Sequence, residues 1–255
     1  METTRDLKLA VIIDADNVPS ANVKGMMEEL AKYGTPTFKR IYGDWTKPNL
    51  AQWKNVLLEN AITPIQQYGY TTGKNATDSA MIIDAMDILY TGKVDGFCIV
   101  SSDSDFTRLA IRLRESGMKV FGFGEQKTPT PFIAACDKFV YLEILKTAEL
   151  KDENEPSPTP TVKKPASLHK VNAKTIALIA NTVDAVADED GWAFLGDVGN
   201  LINKKMPSFD PRNYGFSKLT PFIKSLTRNF FIDERETDRA NIKHVYIKAK
   251  KQETP

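Results

Sequence analysis

Carboxylates that follow short apolar runs set the chemistry open to this chain. Asp14 and Asp16 come directly after Leu9-Ala10-Val11-Ile12-Ile13, and Asp103 and Asp105 follow Cys98-Ile99-Val100-Ser101-Ser102. Between them, Asp78 opens a helical pattern after Lys74-Asn75-Ala76-Thr77, with Asp84 and Asp87 further along it, and Asp137 precedes a last short apolar run. Hard cations such as Mg²⁺ or Mn²⁺ take oxygen ligands and keep several waters, so an open aspartate cluster suits one or two of them. Against a phosphodiester, such ions acidify an attacking water and stabilise the attacking and leaving oxygens.

Each residue also has a plainer use. Asp78 and Asp105 stand where a helix N-cap belongs, and Asn17 could cap the first helix, each cap contributing about 1 kcal/mol. Caps need not coincide at one end of one sheet, whereas clustered carboxylates repel one another unless a cation neutralises them. Ser101 and Ser102 could hold water near an ion or simply form the turn. Lys74 could meet a substrate phosphate, balance the acidic pocket or stand at the surface. Its loop, Thr71-Thr72-Gly73-Lys74, lacks the glycine spacing of a phosphate-binding P-loop.

The elements that must position these groups are legible in the hydrophobic pattern. Strand-like runs at Lys8–Ile13, Thr37–Tyr42, Ile62–Gln67, Gly96–Val100, Lys119–Phe123 and Phe139–Leu142 alternate with helical patterns at about 18–33, 49–59, 78–90, 105–116 and 130–135. Gly34, Gly92 and Gly117 read as helix stops. That alternation predicts βαβ units, hence an α/β fold with a parallel sheet sandwiched by helices. In such sheets ligands bind outside the carboxyl ends of the strands, where the aspartates fall. All four acidic segments, that of Asp137 included, are expected at this edge.

Lys151–Ser167 carries four prolines, alternating charges and almost no apolar residues, which describes a linker. The expected organisation is a catalytic domain over 1–147, a linker over 148–168, a second domain over 169–250 and a tail over 251–255. In the second domain, helical patterns at about 172–186, 195–205 and 216–228 precede strands at Phe230–Asp233 and His244–Lys248, the order of a winged helix-turn-helix with its third helix as recognition helix. Residues 1–146 hold 17 basic and 18 acidic residues, whereas 200–255 hold 12 and 6. A basic end beside an acidic half suits a polyanion gripped in one place and cut in another; a solvated basic surface is the alternative.

Other classes fit less well. Cys98 and Cys136 read as free core thiols, and His169 and His244 lie too far apart for a zinc motif. The first apolar run is too short for a signal peptide and no run reaches about 18 apolar residues, so no membrane partner and a cytoplasmic location are expected.

The motifs Ile12-Ile13-Asp14-Ala15-Asp16-Asn17-Val18, Lys74…Asp78…Asp84 and Val100-Ser101-Ser102-Asp103-Ser104-Asp105-Phe106 resemble the NYN domain, a relative of PIN-type nucleases, in its LabA-like (DUF88) branch. The resemblance covers about residues 7–145. It implies a PIN-like Rossmannoid fold and a Mg²⁺- or Mn²⁺-dependent ribonuclease, with Asp14, Asp78, Asp103 and Asp105 as metal ligands and Asn17 in the pocket. The family often has Glu at the position of Asp16 and Gly at that of Ser102. Asp16, Asp84, Ser101, Ser102 and Lys74 stand as additional candidates.

The segments Gly191-Trp192-Ala193, Leu195-Gly196-Asp197-Val198-Gly199, Phe209 to Leu219 and Val245-Tyr246-Ile247 resemble the LOTUS (OST-HTH) winged helix over about 170–249. That resemblance implies RNA, single-stranded or structured, as partner, and a homo-oligomer or protein contact through the same domain as another use. Tyr214 and Phe216 read as packing residues rather than base platforms. Lys204, Lys205, Arg212, Lys218, Lys224 and Arg228 are the candidates for phosphate contacts. Two rivals remain beside the nuclease: an inactive nuclease fold acting as RNA or protein adaptor, and a haloacid-dehalogenase-like phosphatase using Asp14-x-Asp16, which lacks the expected Gly-Thr after the second aspartate.

Overall fold

A computed structural model describes residues 6–69, 76–149, 168–236 and 243–250, the side chains of 146–149 excepted. The expected linker lies almost wholly outside the described residues, as do the 251–255 tail and Lys74 with its loop. The chain divides between Glu155 and Pro156 into two compact units.

In the first unit, the six apolar runs become strands β1 (Lys8–Asp14), β2 (Thr35–Gly43), β3 (Thr63–Gln66), β4 (Gly96–Val100), β5 (Lys119–Gly124) and β6 (Lys138–Tyr141). They form one sheet in the order β3-β2-β1-β4-β5-β6, with every neighbouring pair parallel. β1 from Leu9 to Asp14 and all of β4 are buried, as central strands covered on both faces must be. Prolines fall where the ladder can lose a donor. Pro64 is in edge strand β3, and at Pro36 the β1–β2 register slips between Leu9 and Ala10.

Helices α1 (Val23–Leu30), α2 (Trp53–Asn60), α3 (Ala76–Tyr90), α4 (Thr107–Glu115), α5 (Thr130–Ala135) and α6 (Leu142–Glu149) connect and flank the strands. The patterns at 18–33 and 49–59 resolve into short 3-10 turns at Ser20–Asn22 and Pro48–Leu50 followed by shorter helices. Helix α6 is additional to the expected elements: it starts at the residue after β6, with no loop to mark the change of period. Cys98 and Cys136 are buried free thiols, as expected.

The second unit contains α7 (Ala173–Val186), a two-residue strand β7 (Ala193–Phe194), α8 (Leu195–Lys205), a 3-10 turn (Pro211–Tyr214), α9 (Leu219–Lys224) and the hairpin strands β8 (Phe230–Glu236) and β9 (Lys243–Ala249). Asn172 caps α7, its side chain accepting from Thr175 N at 2.9 Å. The expected third helix at 216–228 is only six residues of α9, because the chain turns at Ser225 and again before Phe230. The three strands form an antiparallel sheet in the order β7-β9-β8.

Phe222 is fully buried and is ringed by Tyr214, stacked at 5.0 Å, by Phe216 at 5.4 Å and by Phe209 at 5.9 Å. Tyr214 and Phe216 are thus packing residues, as their setting in the sequence suggests. Phe222→Ala should lower the unfolding free energy of this unit by about 3–5 kcal/mol, measured by urea denaturation; a change below 1 kcal/mol would show that the ring is not the centre of the core.

Candidate active site

The sheet order reverses direction between β1 and β4, and the crevice at such a reversal, outside the carboxyl strand ends, is where open α/β sheets bind ligands. The register pairs Ile13 with Val100, so the next residues, Asp14 and Ser101, meet across the crevice floor. Ser101 Oγ donates to Asp14 Oδ2 at 3.0 Å and accepts from Asp103 N at 3.1 Å. One hydroxyl therefore ties the end of β1 to the turn after β4.

Asp14 is 1% exposed. Asn17 Nδ2 donates to its Oδ2 at 2.6 Å and Asp16 N to its Oδ1 at 3.1 Å. Asn17 serves here rather than as a cap; Pro19 precedes the first 3-10 turn in the cap position. Burial pushes the Asp14 carboxyl above the usual carboxylate range, against the lowering effect of these hydrogen bonds.

On the facing side, Asp103 rather than Asp105 caps the turn Ser104–Phe106, its Oδ1 accepting from Asp105 N at 2.9 Å. Ser102 Oγ accepts from Glu125 N at 2.9 Å, anchoring the turn to the end of β5. Gly124 permits that approach, because a Cβ there would stand 2.7 Å from the Ser101 carbonyl oxygen. Gly124 and Glu125 are supporting positions that no carboxylate-based reading would pick out.

Asp78 is in the first turn of α3, where the helix dipole favours a negative charge. Asp78, Asp103 and Asp105 each present a carboxylate oxygen, and these lie within 4.8 Å of one another. Asp14 falls outside this set but acts on it: loss of water pushes the Asp78 carboxyl up to about 6, and the charges of Asp14, Asp103, Asp105 and Asp16 add to the rise.

The remaining acidic candidates part ways. Asp16 is exposed at the rim. Asp84 is engaged on β2 by Arg40 and the Tyr42 hydroxyl, which joins α3 to the sheet. Arg40 and Tyr42 alternate on β2 and so share a face, a signal that only the pairing with Asp84 makes meaningful. Asp137 corrects the expectation that all acidic segments share one edge. A residue preceding a parallel strand stands at its amino end, and Asp137 accepts from Val120 N at the start of β5 and pairs with Arg114 and Lys119.

Three facing oxygens with a raised carboxyl among them make an all-oxygen donor set that fits a hard divalent cation.

In the second unit, Arg212 is drawn to Asp210, Nε–Oδ1 3.0 Å and Nη2–Oδ2 2.7 Å. Lys224 pairs with Glu234, and Lys205 donates to Thr182 Oγ1 at 3.2 Å. Lys204, Lys218 and Arg228 are exposed, at the end of α8, the start of α9 and just beyond α9.

A parallel α/β sheet with a carboxylate trio at its point of reversal, followed by a small winged unit, defines the class. The chain matches the NYN domain family over residues 8–143 and the OST-HTH/LOTUS domain family over 166–242. It belongs to the NYN domain family, whose members form a nuclease superfamily. Among solved structures it is similar to an uncharacterized protein of Nitrosomonas europaea solved by solution NMR, at 31% identity and TM-score 0.32, covering 41% of this chain and 96% of that one. It is also similar to a protein of unknown function from Vibrio parahaemolyticus, a crystal structure, at 20% identity and TM-score 0.47, covering 55% and 96%. No curated protein matches the chain. No helix among the described residues is long and apolar enough to cross a membrane.

The raised Asp78 carboxyl fixes the sign of a pH effect. A carboxyl whose pKa is higher in the folded chain than in the unfolded one contributes stability below about pH 4, and loses it as pH rises through about 6. Asp78→Asn should therefore raise the melting temperature of the metal-free protein at pH 7 and flatten its fall between pH 4 and 6. Mn²⁺ at about 100 times its Kd should add ~2.7 kcal/mol to the wild type and much less to the variant, by differential scanning fluorimetry. Equal Mn²⁺ shifts in both proteins would remove Asp78 from the ligand set.

Proposed function

We propose that the chain is a divalent-metal-dependent endoribonuclease whose winged unit recruits its RNA. The observation that carries this reading is the approach of Asp78, Asp103 and Asp105 within 4.8 Å at the sheet's point of reversal, above the buried Asp14. Asp78, Asp103 and Asp105 would hold Mg²⁺ or Mn²⁺, which supplies Lewis acidity, acidifying water and withdrawing charge from the phosphodiester oxygens.

The chain's own residues do the positioning. Ser101 bridges Asp14 and the Asp103 amide, so the β1 end and the acidic turn keep one spacing. Asn17, the Asp16 amide and Ser101 donate to the Asp14 oxygens and hold that carboxyl in place beside the trio. Oriented supports of this kind commonly matter tenfold to a hundredfold to metal affinity or activity. The same burial and hydrogen bonding disfavour Asp14 as the exposed nucleophile that the phosphatase alternative needs.

Purified protein should cleave labelled single-stranded or structured RNA with Mn²⁺ or Mg²⁺ and not with EDTA. Asp103→Ala should reduce the rate at least about 100-fold while leaving RNA retention intact. Retention without metal-dependent cleavage by the wild type would turn the assignment to an adaptor, and phosphate release from small phosphomonoesters would turn it to a phosphatase.

For recruitment, Lys204→Glu/Lys218→Glu/Arg228→Glu should weaken RNA binding and reduce the log–log salt slope by about 2, at ~0.7 for each single-strand phosphate contact. An unchanged slope would count against these three cations.

A further inference from the structure

The winged unit carries a surface that the cations on its helices do not account for. Side chains alternate along a strand. Phe230, Ile232, Val245 and Ile247 pack into the core of the unit. Their neighbours Phe231, Arg235 and Tyr246 therefore stand on the outer face of the sheet. Phe194 of β7 joins them, paired with Tyr246 in register and 5.8 Å from it between ring centroids.

Among the described residues of this unit, the large apolar side chains left exposed are Phe194, at 36%, and Phe231, at 51%, and both lie on this face. Cations are layered against its rings. The Arg235 guanidinium lies 4.0 Å over the Tyr246 ring and the Lys250 ammonium 4.5 Å over Phe231. The Phe194 ring also packs 5.2 Å from His244 and close over Gly196, where a Cβ would stand only 2.6 Å from a ring carbon, so its position is set. Beside Phe194 and His244, a cleft of about 270 Å³ also bounded by Leu219 and Lys243 is just under the ~300 Å³ at which ligand pockets usually begin. It has room for one splayed base.

Flat rings interleaved with fixed positive charges match one ligand best. Unpaired bases stack on aromatic rings and on arginine planes, and their phosphates are drawn to neighbouring cations. A duplex hides its base faces. Arg235 is also held by Asp233 on the same face, Nε–Oδ2 2.8 Å, which keeps the guanidinium plane over the Tyr246 ring.

We propose that the outer face of the β7-β9-β8 sheet, built on Phe194, Phe231, Tyr246 and Arg235, is a stacking platform for the unpaired bases of single-stranded RNA. It is a second contact, distinct from Lys204, Lys218 and Arg228, and it rests on the reading of the winged unit as an RNA binder.

The test uses the full chain in EDTA, with fluorescence anisotropy of a labelled oligouridine and of a labelled RNA duplex. Phe194→Leu/Phe231→Leu keeps apolar volume and removes the rings. It should weaken oligouridine binding about tenfold or more, leave duplex binding unchanged and keep the wild-type melting temperature. Arg235→Leu, which removes the stacked cation without touching the core, should weaken oligouridine binding in the same selective way. Unchanged oligouridine affinity in both variants overturns the platform, as does an equal loss for oligouridine and duplex. Altered sedimentation with unchanged RNA affinity reassigns the face to protein contact and overturns it too. If the wild type binds neither RNA, the recruitment reading falls and the platform with it. If the Lys204/Lys218/Arg228 charge reversal abolishes binding while the ring variants bind normally, only the platform falls.

Discussion

The parallel pairing of β1 with β4 is the constraint on which the first unit's site depends. Because Ile13 lies opposite Val100, Asp14 and Ser101 become neighbours at the carboxyl edge, and one serine hydroxyl can bond to both the Asp14 carboxylate and the Asp103 amide. Shift that register by one residue and every side chain beyond it would change face. The sheet order then makes this strand end useful, since open α/β sheets bind ligands in the crevice at such a reversal, here between β1 and β4.

The cost of the arrangement is electrostatic. Four aspartates stand near one another, one of them almost wholly buried, and Asp78 responds with a carboxyl pushed up to about 6. Three devices make the cluster tolerable in the absence of a cation: hydrogen bonds into Asp14, the Asp103 cap on the following turn and the amino end of α3 beneath Asp78. None removes the repulsion among Asp78, Asp103 and Asp105, and a divalent ion would.

Much of this was legible in the sequence, and the failures have physical causes. The strands of the first unit were readable because a buried parallel strand is a short continuous apolar run, as in Cys98-Ile99-Val100. The acidic turn was readable because polar residues there break the run abruptly. The place of Asp137 is not legible, because an aspartate beside an apolar run looks the same before a strand as after it, while chain direction puts the two at opposite edges. Arg40 and Tyr42 carry no mark in the sequence, because nothing local distinguishes a strand residue whose partner, Asp84, lies 44 or 42 positions away. In the winged unit, the two-residue β7 was too short to show a period, yet it brings Phe194 to Tyr246.

The class of the fold, the family and the carboxylates that follow the apolar runs are legible in the sequence alone, because hydrophobic period and residue chemistry are local properties. Which carboxylates converge depends on the three-dimensional fold: Asp78, Asp103 and Asp105 face one another, Asp14 is buried beside them, Asp84 is taken by β2 and Asp137 goes to the far edge. The fold likewise decides that Arg212 and Lys224 are paired with carboxylates while Phe194 and Phe231 face outward. The reason is the same in both units. A charge or a ring acquires its role from what strand register and helix placement bring within a few ångströms of it, and those neighbours are remote in the chain.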